Sequence, residues 1–427
     1  MLLLQTLRDE KDRVLTGLAK RQVADAEATI DRIIALDDRR KATQTSNDEK
    51  LAERNTISRQ VGELMKAGKR EEGAALRDRV NEIKEGIAAG EAELNQIKEE
   101  LEEALLTLPN VPHPLVPAGV TEDDNEVFRP FAGELPVLPD TAKPHWELAE
   151  EYKIFDLELG VKTTGAGFPV FTGQGARLAR GLVNFFLDRN TAAGYTEFQP
   201  PLLVNEATAR ATGQLPDKEG QMYHCTQDDF YLIPTAEVPL TNLYRDVILD
   251  PEELPIKLTG YTPCFRREAG SYGAHVRGLN RVHQFDKVEV VQLAHPEKSY
   301  EILDEMVAHI GGLLDELGLP FRILRLCGGD LGFTSAMTFD FEVWSAAQKR
   351  WLEVSSVSCF ETFQSNRLKL RYRGENGNEL AHTLNGSALA LPRIIAALLE
   401  NNQTDEGITL PEVLHSYLGM TKLEKKQ

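Results

Sequence analysis

Between Leu76 and Leu108 the apolar positions fall at alternating steps of four and three: Leu76, Val80, Ile83, Ile87, Leu94, Ile97, Leu101, Ala104 and Leu108. Gly90 stands in the one gap. This is the heptad seam of a helix packed along another helix. From about Ala24 to Met65 the composition is again helical, with a sparser seam of Ile33, Leu36, Leu51, Ile57, Val61 and Leu64. "KAGKR" (Lys66 to Arg70) supplies a turn between the two, and no proline interrupts either. Two antiparallel helices of roughly 40 residues would make an arm about 60 Å long at 1.5 Å per residue. The pattern alone also fits a dimerisation coiled coil. Arg40, Asn47 and Arg54 at core-like positions favour an exposed hairpin over a thick bundle.

Leu108 closes this region, because "LPNVPHPLVPAGVTEDDNEV" is rich in proline and then in acid and reads as a linker. From about Pro144 onward helix and strand patterns mix. "LKLRYR" (Leu368 to Arg373) alternates apolar and basic residues as a half-buried strand does. "FDFEVW" (Phe339 to Trp344) and "KVEVVQL" (Lys287 to Leu293) read the same way. With no strand–GxGxxG–helix or GxxxxGK[ST] unit, Rossmann and P-loop nucleotide sites are not supported. The expectation is an α+β fold in which helices flank an antiparallel sheet. The expected domains are an arm at 1–108, a linker at 109–143 and a mixed helix-and-strand domain at 144–427.

The chain has 427 residues and a formal charge of −19, which argues against non-specific nucleic-acid binding but does not exclude a specific RNA partner held by a local basic patch. Its four cysteines, Cys225, Cys264, Cys327 and Cys359, are scattered, which argues against a disulfide framework and a zinc site. The first residues carry charge too early for a signal-peptide core, and no run of about 18 apolar residues offers a membrane span. A cytoplasmic protein with reduced thiols is expected.

Against this acidic background, "CFRREAGSYGAHVRGLNRVHQF" (Cys264 to Phe285) concentrates Arg266, Arg267, Arg277 and Arg281 around glycines and Glu268. A pocket for a polyanion explains the cluster better than a surface face does. F-R-x-E (Phe265 to Glu268) followed by R-x-x-x-F (Arg281 to Phe285) resembles motif 2 of the class II aminoacyl-tRNA synthetases. "GYTEFQPPLLVN" resembles motif 1, with Pro201 at its proline, and "LNGSALALPRIIAALLEN" resembles motif 3, with Arg393 at its arginine. "TGQLP", "PTAEVPLTN", "GDLGF" and "EVSSVS" occur in the order of the seryl-tRNA synthetase family, behind a similar N-terminal hairpin. The resemblance covers nearly the whole chain.

That resemblance implies activation of L-serine by ATP and transfer to the 3′ end of tRNA(Ser), with tRNA(Sec) left open as a further acceptor. Attack of a carboxylate on the α-phosphorus needs fixed cations and positioning more than a covalent nucleophile. By the family's pattern Arg266 holds the α-phosphate, Arg281 and Arg393 the γ-phosphate end, Phe285 stacks on adenine and Glu268 accepts from its amino group. Arg267, Val282, Val354 and Ser355 complete the implied ATP set. Glu353 and Ser356 match the ligands of Mg²⁺, a hard cation that takes oxygen donors. Thr235, Ala236, Glu237, Glu289 and Ser387 form the implied serine pocket, and a site built for a hydroxyl rejects alanine strongly. Taken singly, Glu353 also reads as a solvent-facing strand carboxylate, Thr235 as a helix cap and Glu289 as a strand ion pair.

The resemblance further implies a two-fold homodimer through motif 1, in which one subunit's arm serves the other's active site. Basic residues Arg39, Arg40, Lys41, Arg54, Arg59, Lys66, Lys69 and Arg70 on the arm either meet RNA phosphates or are simply solvated. His224 and His283 lack partners at ligand spacing and are expected to be structural. The chain departs from the family at Arg267, Met337, Cys359, Ala388 and Pro392, and the helix of motif 3 is expected to start near Pro392. Threonyl, prolyl and histidyl enzymes normally carry a further domain after motif 3, whereas only a short tail follows Glu400. Two rivals remain: a ligase paralogue charging an acceptor other than tRNA, and a binding protein on an inactive core.

Overall fold

The computed structural model describes residues 1–217, 219–268, 276–375 and 377–425. Most of the glycine-bearing loop of motif 2, residues 269–275, lies outside them. The chain forms two compact units, Met1–Ala19 with Val23–Pro109 and Lys20–Gln22 with Asn110–Gln427.

The first unit is helical. Two short helices, α1 (Leu4–Asp9) and α2 (Lys11–Lys20), precede the long α3 (Ala26–Lys66) and α4 (Arg70–Thr107). The heptad positions of α4 from Val80 to Leu108 are buried, and Leu76 is half-buried. Gly90 has a steric cause. A Cβ there would stand 1.9 Å from Asn47 Oδ1 of α3, so the buried asparagine occupies the space a seam side chain would fill. Neither polar atom of Asn47 finds a partner, which is the arrangement by which one polar core residue selects a register at a cost in stability. Further down, Asp37 is buried among Arg8, Arg40 and Lys41. Burial works against its charge, but these three donors outweigh it and hold the carboxyl down at about 2. Arg39 pairs with Glu93 at 2.6 Å and Lys69 with Glu72 at 3.1 Å. Half of the arm's basic set is therefore tied to carboxylates, while Arg59, Lys66 and Arg70 are exposed.

The second unit is built on a sheet of eight strands among the described residues. In chain order they are β1 (Glu126–Arg129), β2 (Thr196–Glu197), β3 (Ile256–Phe265), β4 (Gln284–Ala294), β5 (Phe321–Arg325), β6 (Met337–Ser345), β7 (Arg350–Glu361) and β8 (His382–Ala390). Their order across the sheet is β1-β5-β6-β7-β8-β4-β3-β2. All neighbours are antiparallel except the edge strand β2, which is parallel to β3. Period-two alternation sorts the strands into faces. Val288, Val290, Phe339, Phe341, Val357 and Leu384 pack into the main core with α6 (Gly173–Ala192), α7 (Ser299–Glu316) and α8 (Leu391–Asn401). The intervening residues, among them Lys287, Glu289, Asp340, Asn385 and Ser387, are polar and fall on the other face. Helix α5 (His145–Tyr152) stands at the N-terminal side of this unit.

"FDFEVW" and "KVEVVQL" lie within β6 and β4 as expected. "LKLRYR" does not form one strand. Leu368 ends a helix that begins at Thr362, Lys369 turns the chain with φ 54°, and only Arg371–Gly374 pairs as strand. Leu368, Leu370 and Tyr372 are nevertheless all buried, because a cluster built around Leu258, Val291 and Leu293 accepts them whatever the local backbone.

Candidate active site

The chain leaving β3 carries Arg266 and Glu268 into a cleft of about 180 Å³. Its other walls are the return segment Leu279–Val282 with Phe285, the Glu353–Ser356 stretch of β7, Ser387 of β8, and Arg393 in the first turn of α8. α8 starts at Leu391 with Pro392 in its first turn, where a missing N–H costs nothing, and this puts Arg393 at the cleft. Arg266, Glu268, Arg281, Val282, Phe285, Glu353, Val354, Ser355, Ser356 and Arg393 all line this one space. Arg267 does not. It is exposed, and its N–H donates to the Gln221 carbonyl at 2.9 Å. Neighbouring side chains on extended backbone leave on opposite sides, so Arg266 inside places Arg267 outside.

Arg266 is anchored by a neutral acceptor, whereas Arg393 also lies 3.5 Å from the Glu353 carboxylate and Arg281 pairs with Glu268. Arg266 Nε donates to the Pro234 carbonyl at 3.4 Å, and its guanidinium stands 5.3 Å over the Phe285 ring. Arg393 donates to the carbonyls of Asn280 at 2.9 Å and Glu353 at 2.7 Å. Arg281 donates to the carboxylate of Glu268. Ser355 Oγ donates to the Ser387 carbonyl at 2.6 Å, clamping β7 to β8 rather than facing a ligand.

Across β6 and β7, Asp340 faces Ser356 and Glu342 faces Glu353. Burial first, and then the charge of Glu353, push the Asp340 carboxyl well above its ordinary value. Its buried Oδ1 has no hydrogen-bond partner. The donor chemistry of Asp340, Glu353 and Ser356, with one buried carboxylate oxygen unsatisfied, suits a hard divalent cation, although no three His, Cys, Asp or Glu side chains among the described residues are grouped as a metal site.

Beside Lys287 and Ser387 of the cleft lies a buried cluster of charged and polar side chains. Glu289 is fully buried and pairs with Lys287 Nζ at 2.6 Å, and the same ammonium donates to Thr235 Oγ1 at 3.0 Å. Thr235 Oγ1 in turn donates to Glu289 at 3.1 Å. Asn385 Nδ2 lies 3.0 Å from both Glu237 and Glu289, and Gln364 Nε2 donates to Glu237 at 2.7 Å. Ser387 sits opposite Glu289 in the β4–β8 register and lines the cleft above. Ala236 instead packs among Leu240, Leu258 and Val291. Lys287, Asn385 and Gln364 were not singled out from the sequence. For Lys287 a signal existed, since it stands two positions from both Phe285 and Glu289 on one strand face.

Burial, and after it the charge of Glu289, raise the Glu237 carboxyl to about 7. The folded chain therefore keeps a proton on Glu237 that the unfolded chain sheds in the range from the ordinary glutamate value up to about 7. Stability falls as pH rises through that window, by roughly 3 kcal/mol at most. The difference in Tm between Glu237→Gln and the unchanged protein should thus move in the variant's favour as pH is raised from about 5 to about 8. Thermal melts at a series of pH values measure this, and a pH-independent difference would refute the assignment.

The remaining sequence readings also have places. His283 Nδ1 lies 3.0 Å from the Arg266 carbonyl and the ring stacks on Phe168, while His224 bonds Asp229 at 2.9 Å and stacks on Tyr231. Both are held in structural roles. Met337 and Cys359 face each other on β6 and β7 and are buried in the main core, so neither departure from the family reaches the cleft.

An antiparallel sheet carrying motif arginines over a cleft, beside a buried cluster of paired charges, defines a class II aminoacyl-tRNA synthetase. The family profile described as tRNA synthetase class II core domain (G, H, P, S and T) matches residues 223–402, and that of the seryl-tRNA synthetase N-terminal domain matches residues 1–112. The chain belongs to the seryl-tRNA synthetase family. It is 50% identical over 426 residues to a serine–tRNA ligase of Salinibacter ruber, covering 99% of each chain. It is 47% identical over 436 residues to one of Neisseria meningitidis serogroup C, covering 100% of each. The structure of seryl-tRNA synthetase from Pyrococcus horikoshii complexed with ATP is similar over 100% of both chains, with 32% identity and a TM-score of 0.92. No helix among the described residues is long and apolar enough to cross a membrane.

Proposed function

We propose that this protein is an ATP-dependent serine–tRNA ligase that forms seryl-adenylate with release of pyrophosphate and transfers the seryl group to the 3′ end of tRNA(Ser). One observation carries the reading. On a single face of β4, Phe285 lines the cleft, Lys287 lines the cleft and bonds Thr235, and Glu289 is buried in the polar cluster beside it. Two residues of strand advance the chain by about 6.6 Å, so the strand spaces a nucleotide and an amino acid within reach of each other. Glu289 takes the serine ammonium, with Thr235 and Ser387 beside the amino acid. Arg266 neutralises charge where carboxylate and α-phosphate meet, and Arg281 and Arg393 hold the γ-phosphate end.

Glu353 and Ser356, with Asp340 beside them, would hold Mg²⁺, which supplies charge neutralisation to the phosphates when bound. Residues 1–108 serve as the tRNA-binding arm, 109–143 as a linker and 144–427 as the catalytic domain. The protein acts in the cytoplasm as a homodimer. Motif 1 at the sheet's β2 edge, with Leu203 45% exposed, supports a partner surface there. ATP–pyrophosphate exchange with each of the twenty amino acids in turn tests the activity. Exchange with serine far above threonine is expected. Exchange with another amino acid overturns the pocket, and none at all favours an inactive core.

A further inference from the structure

We propose that His145, held by Glu400, is a positioning residue for the γ-phosphate end of ATP. The proposal rests on the reading of the cleft given above. His145 opens α5 and is fully buried, and Glu400 in the last turn of α8 is fully buried too. Neither lines the cleft.

One carboxylate oxygen, Glu400 Oε1, accepts from the His145 N–H at 2.9 Å, from His145 Nδ1 at 2.7 Å and from Gln348 Nε2 at 2.9 Å. Ser345 donates to the other oxygen. Burial works against the Glu400 charge, but these donors outweigh it and hold the carboxyl below its ordinary value. Since Glu400 only accepts here, Nδ1 carries the ring hydrogen and Nε2 is left as an acceptor. That acceptor takes the N–H of Leu279 at 2.8 Å.

Leu279 belongs to the return segment of motif 2, and the grip on it is close. Gly278 has φ 69°, and a Cβ there would lie 2.2 Å from His145 Nε2. Asn280 Nδ2 donates to Gln348 Oε1 at 2.9 Å, a second tie to the same carboxylate. The Asn280 carbonyl then accepts from Arg393 Nε at 2.9 Å, and Arg281 follows in the chain. Both arginines assigned to the γ-phosphate thus hang on a segment whose path is set by a buried imidazole outside the cleft. An apolar residue at 145 would fill the same volume without orienting that segment, so the polar dyad has a task beyond packing.

The test is steady-state ATP–pyrophosphate exchange with the full chain, alongside inhibition by AMP, which lacks the β- and γ-phosphates. His145→Phe keeps a ring but removes donor and acceptor, and His145→Gln restores an amide acceptor. For His145→Phe the KM for ATP should rise about tenfold, the size of one lost oriented hydrogen bond, with the KM for serine and the Ki for AMP within about twofold. His145→Gln should recover most of the loss. Equal changes in all three constants, or none, would overturn the positioning role. Should His145→Phe fail to fold, Gln348→Met removes both the Asn280 tie and the amide's bond to Glu400 while leaving His145 in place, and must show the same ATP-selective pattern. Failure of the underlying reading would look different, since the unchanged protein would then show no serine-dependent exchange.

Discussion

Replacing Arg266 by alanine should lower serine-dependent ATP–pyrophosphate exchange by about a thousandfold, the scale on which one preorganised charge at the reacting centre acts. Arg266 is half-buried in the cleft wall, with Phe285 under its guanidinium and the Pro234 carbonyl at its Nε. No carboxylate lies against it in the described structure to absorb its charge. Arg266→Lys should recover only part of the rate, because an ammonium keeps the charge and loses the planar fork. The side chain is not part of the apolar core, so the melting temperature should change by no more than about 1 kcal/mol of stability implies. Exchange at the level of the unchanged protein would sink the phosphate assignment.

Arg59→Glu, Lys66→Glu and Arg70→Glu together should cut the kcat/KM for tRNA serylation about a hundredfold at moderate salt, through lost and reversed phosphate contacts. Exchange should stay within about twofold, since all three positions belong to the helical unit and none lines the cleft. These residues are chosen because they are exposed, whereas Arg39, Arg40, Lys41 and Lys69 hold carboxylates and would report on folding as well. The variant's charging rate should also respond less steeply to salt, because fewer counterions are released on binding. Equal loss of exchange and charging would refute the division of labour between arm and core.

Much of this was legible without coordinates wherever the information is local or periodic. The α4 seam from Val80 to Leu108 reads directly as a buried stripe, because a helix repeats its geometry every few residues. The β4 and β6 segments read as strands by alternation, and the ordered motifs delivered ten residues that line one cleft. Where local pattern competed with tertiary demand it misled. Leu368 to Arg373 alternates like a strand, yet a helix end and a turn at Lys369 satisfy the same burial. Arg267 shared its neighbours' motif but not their side of the chain.

Charge, periodicity and motif order by themselves determined the helical hairpin, the sheet-based core and the set of motif residues that line one cleft. Only the tertiary structure decided who neutralises whom inside it. Asn385 reaches Glu237 across 148 positions of sequence, and His145 reaches Glu400 across 255. It likewise showed that Gly90 is required by Asn47 of the opposing helix. Such pairs leave no trace in spacing, because a buried polar group is stable only with a partner, and the fold alone brings that partner within hydrogen-bonding distance.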